Sequence, residues 1–103
     1  MPIADITIIP VGTETPSVSS YVAKIHQVLE QHRDLVSYEL TPMSTLIEGK
    51  LEDLFFVIKQ LHEVPFTEGA QRVATNIRID DRRDKLNTMA GKMAAVKMKL
   101  ANQ

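Results

Sequence analysis

The 103-residue chain contains no cysteine and no tryptophan. Without a thiol there can be no disulfide, no thiolate nucleophile and no zinc–sulfur site, and nothing argues for an oxidising compartment. Only 4 glycines occur, Gly12, Gly49, Gly69 and Gly91, each isolated, so a glycine-rich phosphate loop of either standard spacing is absent. Long apolar runs are missing as well. The N-terminal stretch "MPIADITIIPVG" is far too short to span a bilayer and lacks the basic segment of a signal peptide, which makes a cytoplasmic protein the default. The 3 histidines, His26, His32 and His62, have no metal-ligand spacing, and His26 and His32 do not share a helix face, so neither a metal nor a cofactor is expected. No serine sits in a nucleophile elbow, and no carboxylate pair stands where raised pKa values would be expected. Binding is therefore favoured over catalysis.

What remains is the composition of one ordinary globular domain, 44% hydrophobic and 24% charged, near the size at which a single core is adequate but not generous. The net charge of −1 is unevenly spread: residues 1–71 hold 4 Lys or Arg against 10 Asp or Glu, and residues 72–103 hold 8 against 3. A nucleic-acid surface would explain the basic part, but no aromatic residue is interleaved there to stack on bases. Acidic and basic parts facing one another, within or between subunits, is the reading that the pattern favours.

The stretch "IADITIIPV" (3–11) is rich in β-branched residues and closes on "GTETPS", which predicts a strand with Ala4, Ile6 and Ile8 on one face and Ile3, Asp5, Thr7 and Ile9 on the other. Thr15 before Pro16 is a helix-start signal. Val18, Tyr21, Val22, Ile25, Val28 and Leu29 then recur at spacings of three and four, which predicts an amphipathic helix from Ser17 to Gln31. Two strands, "LVSYEL" (35–40) and "STLIEG" (44–49), flank a turn that holds Pro42, a residue unable to donate to a ladder. Leu51, Leu54, Phe55, Ile58 and Leu61 mark a second helix from Leu51 to Glu63, with Glu52 and Asp53 where its dipole favours them. The segment "EVPFTEGAQ" reads as a loop, and "RVATNIRID" (72–80) as a fourth strand. After "DRRD" comes a last helix, Lys85 to Leu100.

The order βαββαβ plus a terminal helix predicts a ferredoxin-like α+β fold, a four-stranded antiparallel sheet with helices on one face. A bare face carrying Ile3, Ile9 or the Ile77 row would be an exposed apolar patch in a monomer, so a cover is expected. Leu86, Met89, Met93, Val96 and Leu100, spaced alternately by three and four, have the narrow stripe of a helix that packs along another helix; lying on its own sheet edge is the plainer alternative. The three methionines of this segment, Met89, Met93 and Met98, suit adaptable packing and require no cofactor.

The hairpin "YELTPMSTLIEG" is the one stretch whose chemistry suggests a small-molecule site. Glu48 shares a strand face with Leu46, and a carboxylate in apolar company is costly unless it is hydrogen-bonded. It is either a strand-end side chain reaching water or a ligand anchor. Tyr38 and Met43 suit a planar heterocycle, and Ser44 and Thr45 can donate or accept. The same residue types would equally make a stable hairpin.

That hairpin, followed by "HEVPFTEGAQRVATNIRIDDRRDK" (62–85), resembles the family of small thiamine-binding proteins. The likeness runs from "ITIIPVGT" to the final helix, and its specific part is the blocks "PMSTLIEG" and "RIDDRRDK" with their spacing. The resemblance implies a ferredoxin-like subunit, dimers whose sheets meet, and two dimers in a homotetramer. It implies binding of thiamine (vitamin B1) or of its hydroxymethylpyrimidine half, in a carrier, salvage or sensing role, rather than a reaction. Carried over by position, Tyr38, Met43, Ser44, Thr45 and Glu48 look like the pocket stretch. Glu48 would accept hydrogen bonds from the aminopyrimidine, Tyr38 and Met43 would flank the ring, and Thr7 and Asn76 would finish the lining. Ser44 departs from the family motif, which has glycine between Met and Thr. Arg72, Arg78, Arg82 and Arg83 read either as ligands of a phosphorylated form or, because Asp80, Asp81 and Asp84 interleave with them, as intersubunit salt bridges or a solvated turn. Two other functions stand beside thiamine binding: a self-assembling module without a small ligand, and an enzyme acting on a thiamine precursor.

Overall fold

The structure, a computed structural model, describes residues 1–12, 18–84 and 96. Six elements follow one another: β1 (Ile3–Pro10), α1 (Val18–Gln31), β2 (Val36–Leu40), β3 (Thr45–Gly49), α2 (Leu51–Thr67) and β4 (Val73–Asp80). The strands form one antiparallel sheet in the order β2-β3-β1-β4, the ferredoxin-like arrangement that the βαββαβ order predicts. The capping signal at Thr15 and Pro16 lies outside the described residues. So does the expected terminal helix, save Val96, which is helical and half exposed.

Alternation along β1 sends Ala4 and Ile6 into the core, where Ile25 and Leu29 of α1, Ile47 of β3 and Leu54, Val57 and Leu61 of α2 meet them. Val57 takes the core position that the apolar spacing gives to Phe55, and Phe55 is 52% exposed. The reason is angular: Leu54, Val57, Ile58, Leu61 and Val64 fill one stripe of a 3.6-residue helix, and Phe55 falls to its flank.

α2 also runs four residues beyond the predicted stop, through Val64, Pro65 and Phe66 to Thr67, where a loop is expected from the proline. Pro65 forfeits the bond that its N–H would have made, but it and Val64 are buried and extend the apolar stripe. The end is closed by backbone bonds from Gly69 N–H to the Phe66 carbonyl (3.1 Å) and from Ala70 N–H to the Pro65 carbonyl (3.0 Å), with Gly69 at φ +101°.

The face away from the helices is not the apolar patch that its isoleucines suggest. Ile3 is 7% exposed, and Ile77 belongs to the helix side, because β4 pairs Ile77 with Ile6. Ile9 is the large apolar side chain exposed there, at the end of β1. The rest of the open face is largely polar.

Candidate functional site

Register decides which of the candidate residues can meet. The open face carries Ser37 and Glu39 of β2, Leu46 and Glu48 of β3, Ile3, Asp5 and Thr7 of β1, and Asn76, Arg78 and Asp80 of β4. One cross-strand row is Ser37, Glu48, Ile3, Asp80; the next is Glu39, Leu46, Asp5, Arg78; and Thr7 stands opposite Asn76 in a third. Glu48 is half-buried beside buried Ile3. Thr7 and Asn76 share its face about 13 Å further along the strands, with the row of Asp5 and Arg78 between.

The sheet separates this set from Tyr38. Tyr38 projects to the helix side, where its hydroxyl donates to a Glu30 carboxylate oxygen and its ring packs edge-on to His26 at 5.8 Å. That bond holds the Glu30 carboxyl below the usual carboxylate range, with Arg33 adding to the effect, and raises the Tyr38 phenol. Thr45, opposite Ile6 and Leu40, also belongs to the helix side. Met43, 84% exposed, sits at the turn, so Tyr38 and Met43 do not flank a ring held by Glu48 within one subunit. Ser44 is tied into that turn: its N–H donates to the Thr41 hydroxyl oxygen (2.9 Å), and its carbonyl accepts from the Thr41 hydroxyl (2.8 Å) and N–H (2.9 Å).

The arginines are engaged in different ways. Arg78 donates to Asp5 at 3.0 Å on the open face. Arg82 grips Asp84 (2.7 and 3.2 Å), and Arg83 grips Asp81 (3.1 and 2.8 Å), which raises the Arg83 pKa. These ion pairs lie within one chain, whereas the interleaving of Asp and Arg along the sequence suggests intersubunit salt bridges or a solvated turn. Arg72 has an exposed side chain, and its carbonyl accepts the Val11 N–H at 2.9 Å.

Sequence reasoning omitted Asp5, Glu39 and Asp80 from the candidates. Strand alternation could have placed them on the open face, but only once the pairing partners were known. With Glu48 they make four carboxylates against Arg78, so the face suits a cationic or hydrogen-bond-donating guest. Among the described residues no group of His, Asp and Glu could hold a metal ion, and no helix is long and apolar enough to cross a membrane. The histidines have other partners: His32 Nδ1 donates to the Val28 carbonyl (2.8 Å), and His62 Nδ1 bonds the Thr75 hydroxyl (2.7 Å).

Comparison with known proteins adds chemistry to this geometry. The sequence model of the family described as thiamine-binding protein matches residues 4–97. The chain is 61% identical over 98 residues to the protein YqgV of Bacillus subtilis, covering 93% of this chain and 94% of that one. It is 54% identical to a protein of Staphylococcus xylosus, with 93% and 92% covered. The crystal structure of the protein MJ1052 of Methanocaldococcus jannaschii superposes with a TM-score of 0.79 at 32% identity, over 93% of this chain and 95% of that one.

Proposed function

The chain belongs to the thiamine-binding protein family, and on that premise we propose that it binds thiamine, or the hydroxymethylpyrimidine half of it, as a cytoplasmic homo-oligomer and without turning it over. The observation that carries this reading is the match of residues 4–97, which spans the sheet and both helices between its strands.

The polar open face supports a site around Glu48. A half-buried carboxylate beside Ile3 and Leu46 accepts hydrogen bonds from the amino group of a pyrimidine laid on those side chains. Thr7 and Asn76 offer further donors and acceptors along β1 and β4. The cationic thiazolium half meets a face of net negative charge, whereas a phosphate ester would meet carboxylates; the reading is therefore of thiamine rather than its phosphates.

Titration calorimetry of the purified protein with thiamine, hydroxymethylpyrimidine and thiamine phosphate tests the proposal. Saturable binding of thiamine at micromolar Kd or tighter, about −8 kcal/mol, is expected. Glu48→Gln is expected to weaken it at least tenfold, about 1.4 kcal/mol. Unchanged affinity in that variant would remove Glu48 from the site. No heat from any of the three would leave a self-assembling module, and consumption of a ligand would make the protein an enzyme.

A further inference from the structure

Among the described open-face residues of the four strands Arg78 is the one cation, and it stands with four carboxylates, Asp5, Glu39, Glu48 and Asp80. Register puts it directly opposite Asp5, and its Nη2 donates to Asp5 Oδ2 at 3.0 Å. The Asp5 side chain is 28% exposed and that of Arg78 84%. An ion pair so open to water contributes little to stability. Its larger consequence lies in what the face presents to a ligand. The positive charge of Arg78 is matched by a carboxylate in hydrogen-bond contact, so an arriving anion meets an acidic surface with no cation left to draw it.

The pair also lies on the path of the ligand. A pyrimidine held by Glu48 rests on Ile3 and Leu46, and a ligand that runs on from there to Thr7 and Asn76 crosses the row of Asp5 and Arg78 between them. Asp5 and Glu48 are diagonal neighbours on paired strands, with Cα atoms about 7–8 Å apart. Two rings joined by one methylene group, as in thiamine, reach from the one to the other. The thiazolium and its hydroxyethyl arm, which carries the phosphate in a thiamine ester, then lie over the ion pair.

We infer that Asp5 is a specificity-determining residue: by holding and neutralising Arg78 it makes this face accept the cationic thiazolium and refuse the phosphate ester. Discrimination of this kind works by repelling the wrong ligand as well as by attracting the right one. Loss of the Asp5 charge alone turns Arg78 from a neutralised side chain into an anion ligand. The inference rests on the thiamine reading above and adds to it the residue that sets the choice between thiamine and its esters.

Calorimetry of Asp5→Asn with thiamine, thiamine phosphate and hydroxymethylpyrimidine tests it, since the amide keeps the size of the carboxylate and removes its charge. Thiamine is expected to bind about threefold more weakly than to the wild type and thiamine phosphate about threefold more tightly, a shift in preference of about tenfold. Hydroxymethylpyrimidine, which is neutral and held at Glu48, is expected to change least. Adding Arg78→Gln is expected to abolish the gain in the ester, an effect that a merely structural role of Asp5 does not produce. Arg78→Gln alone is expected to widen the preference for thiamine, and it decides should Asp5→Asn fail to fold, judged by circular dichroism. An unchanged preference in the folded variant overturns the role of Asp5 and leaves the thiamine reading intact. So does an equal loss of all three ligands, or a wild type that binds thiamine phosphate as tightly as thiamine. A wild-type protein that binds none of the three overturns the thiamine reading and this inference with it.

Discussion

The Tyr38 hydroxyl donates to Glu30 across the gap between β2 and α1, and the two groups shift each other's titration in opposite senses. Glu30, held below its usual range, contributes stability that is present above its unfolded pKa and lost as the pH falls through the folded value. Tyr38, raised, contributes stability that is present below its unfolded pKa and lost as the pH rises through the folded one. Tyr38→Phe is therefore expected to lower the Tm at pH 7 and to match the wild type only in acid strong enough to protonate the lowered Glu30 carboxyl of the folded wild type. Thermal melts across that range check the sign. Because Tyr38 lies on the helix side of the sheet, the same variant is expected to keep its thiamine affinity, in contrast to Glu48→Gln. Equal losses in the two would return Tyr38 to the site.

Turns and helix ends set the demands at the scale of elements. Gly69 closes α2 at φ +101°, and a Cβ there would meet no atom within 4 Å. Gly69→Ala therefore costs only the backbone term for a left-handed residue, about 1–2 kcal/mol, readable by urea denaturation. Gly49 presents the opposite case. Its backbone is unstrained, but a Cβ would sit 2.9 Å from the Leu35 carbonyl oxygen and 3.1 Å from Val36 Cγ1. Gly49→Ala is expected to cost more than Gly69→Ala and to speed hydrogen exchange in β2 and β3, because the neighbour that must yield is main chain.

Across the whole molecule one core joins both helices to the sheet, and Leu54, fully buried, lies within it. Leu54→Ala is expected to remove about 2–5 kcal/mol from a total that for such a domain is about 5–15 kcal/mol. Chemical denaturation would show this as a lower midpoint. The self-association proposed above should add a concentration dependence to the Tm, since a partner that binds only the folded chain stabilises it by mass action.

Sequence alone determined the order of elements and, through it, the fold. Periodicity of two in 3–10 and 73–80 and of three to four in the helices is a local property of the chain, and right-handed crossovers leave few ways to connect such elements. The motif "YELTPMSTLIEG" likewise carried the family likeness that the match over residues 4–97 shows. Pro65 misled because its local cost is visible in the sequence while the burial that offsets it is not. Phe55 misled because an apolar residue at the right spacing does not say which flank of the stripe faces the core. The candidate site was legible as a set of residue types and not as a constellation. Tyr38 and Glu48 are ten positions apart, and only the pairing of β2 with β3 and of β3 with β1 sends one to the helices and the other to the open face. Register arises from contacts between segments distant in the chain, so tertiary structure alone decides it.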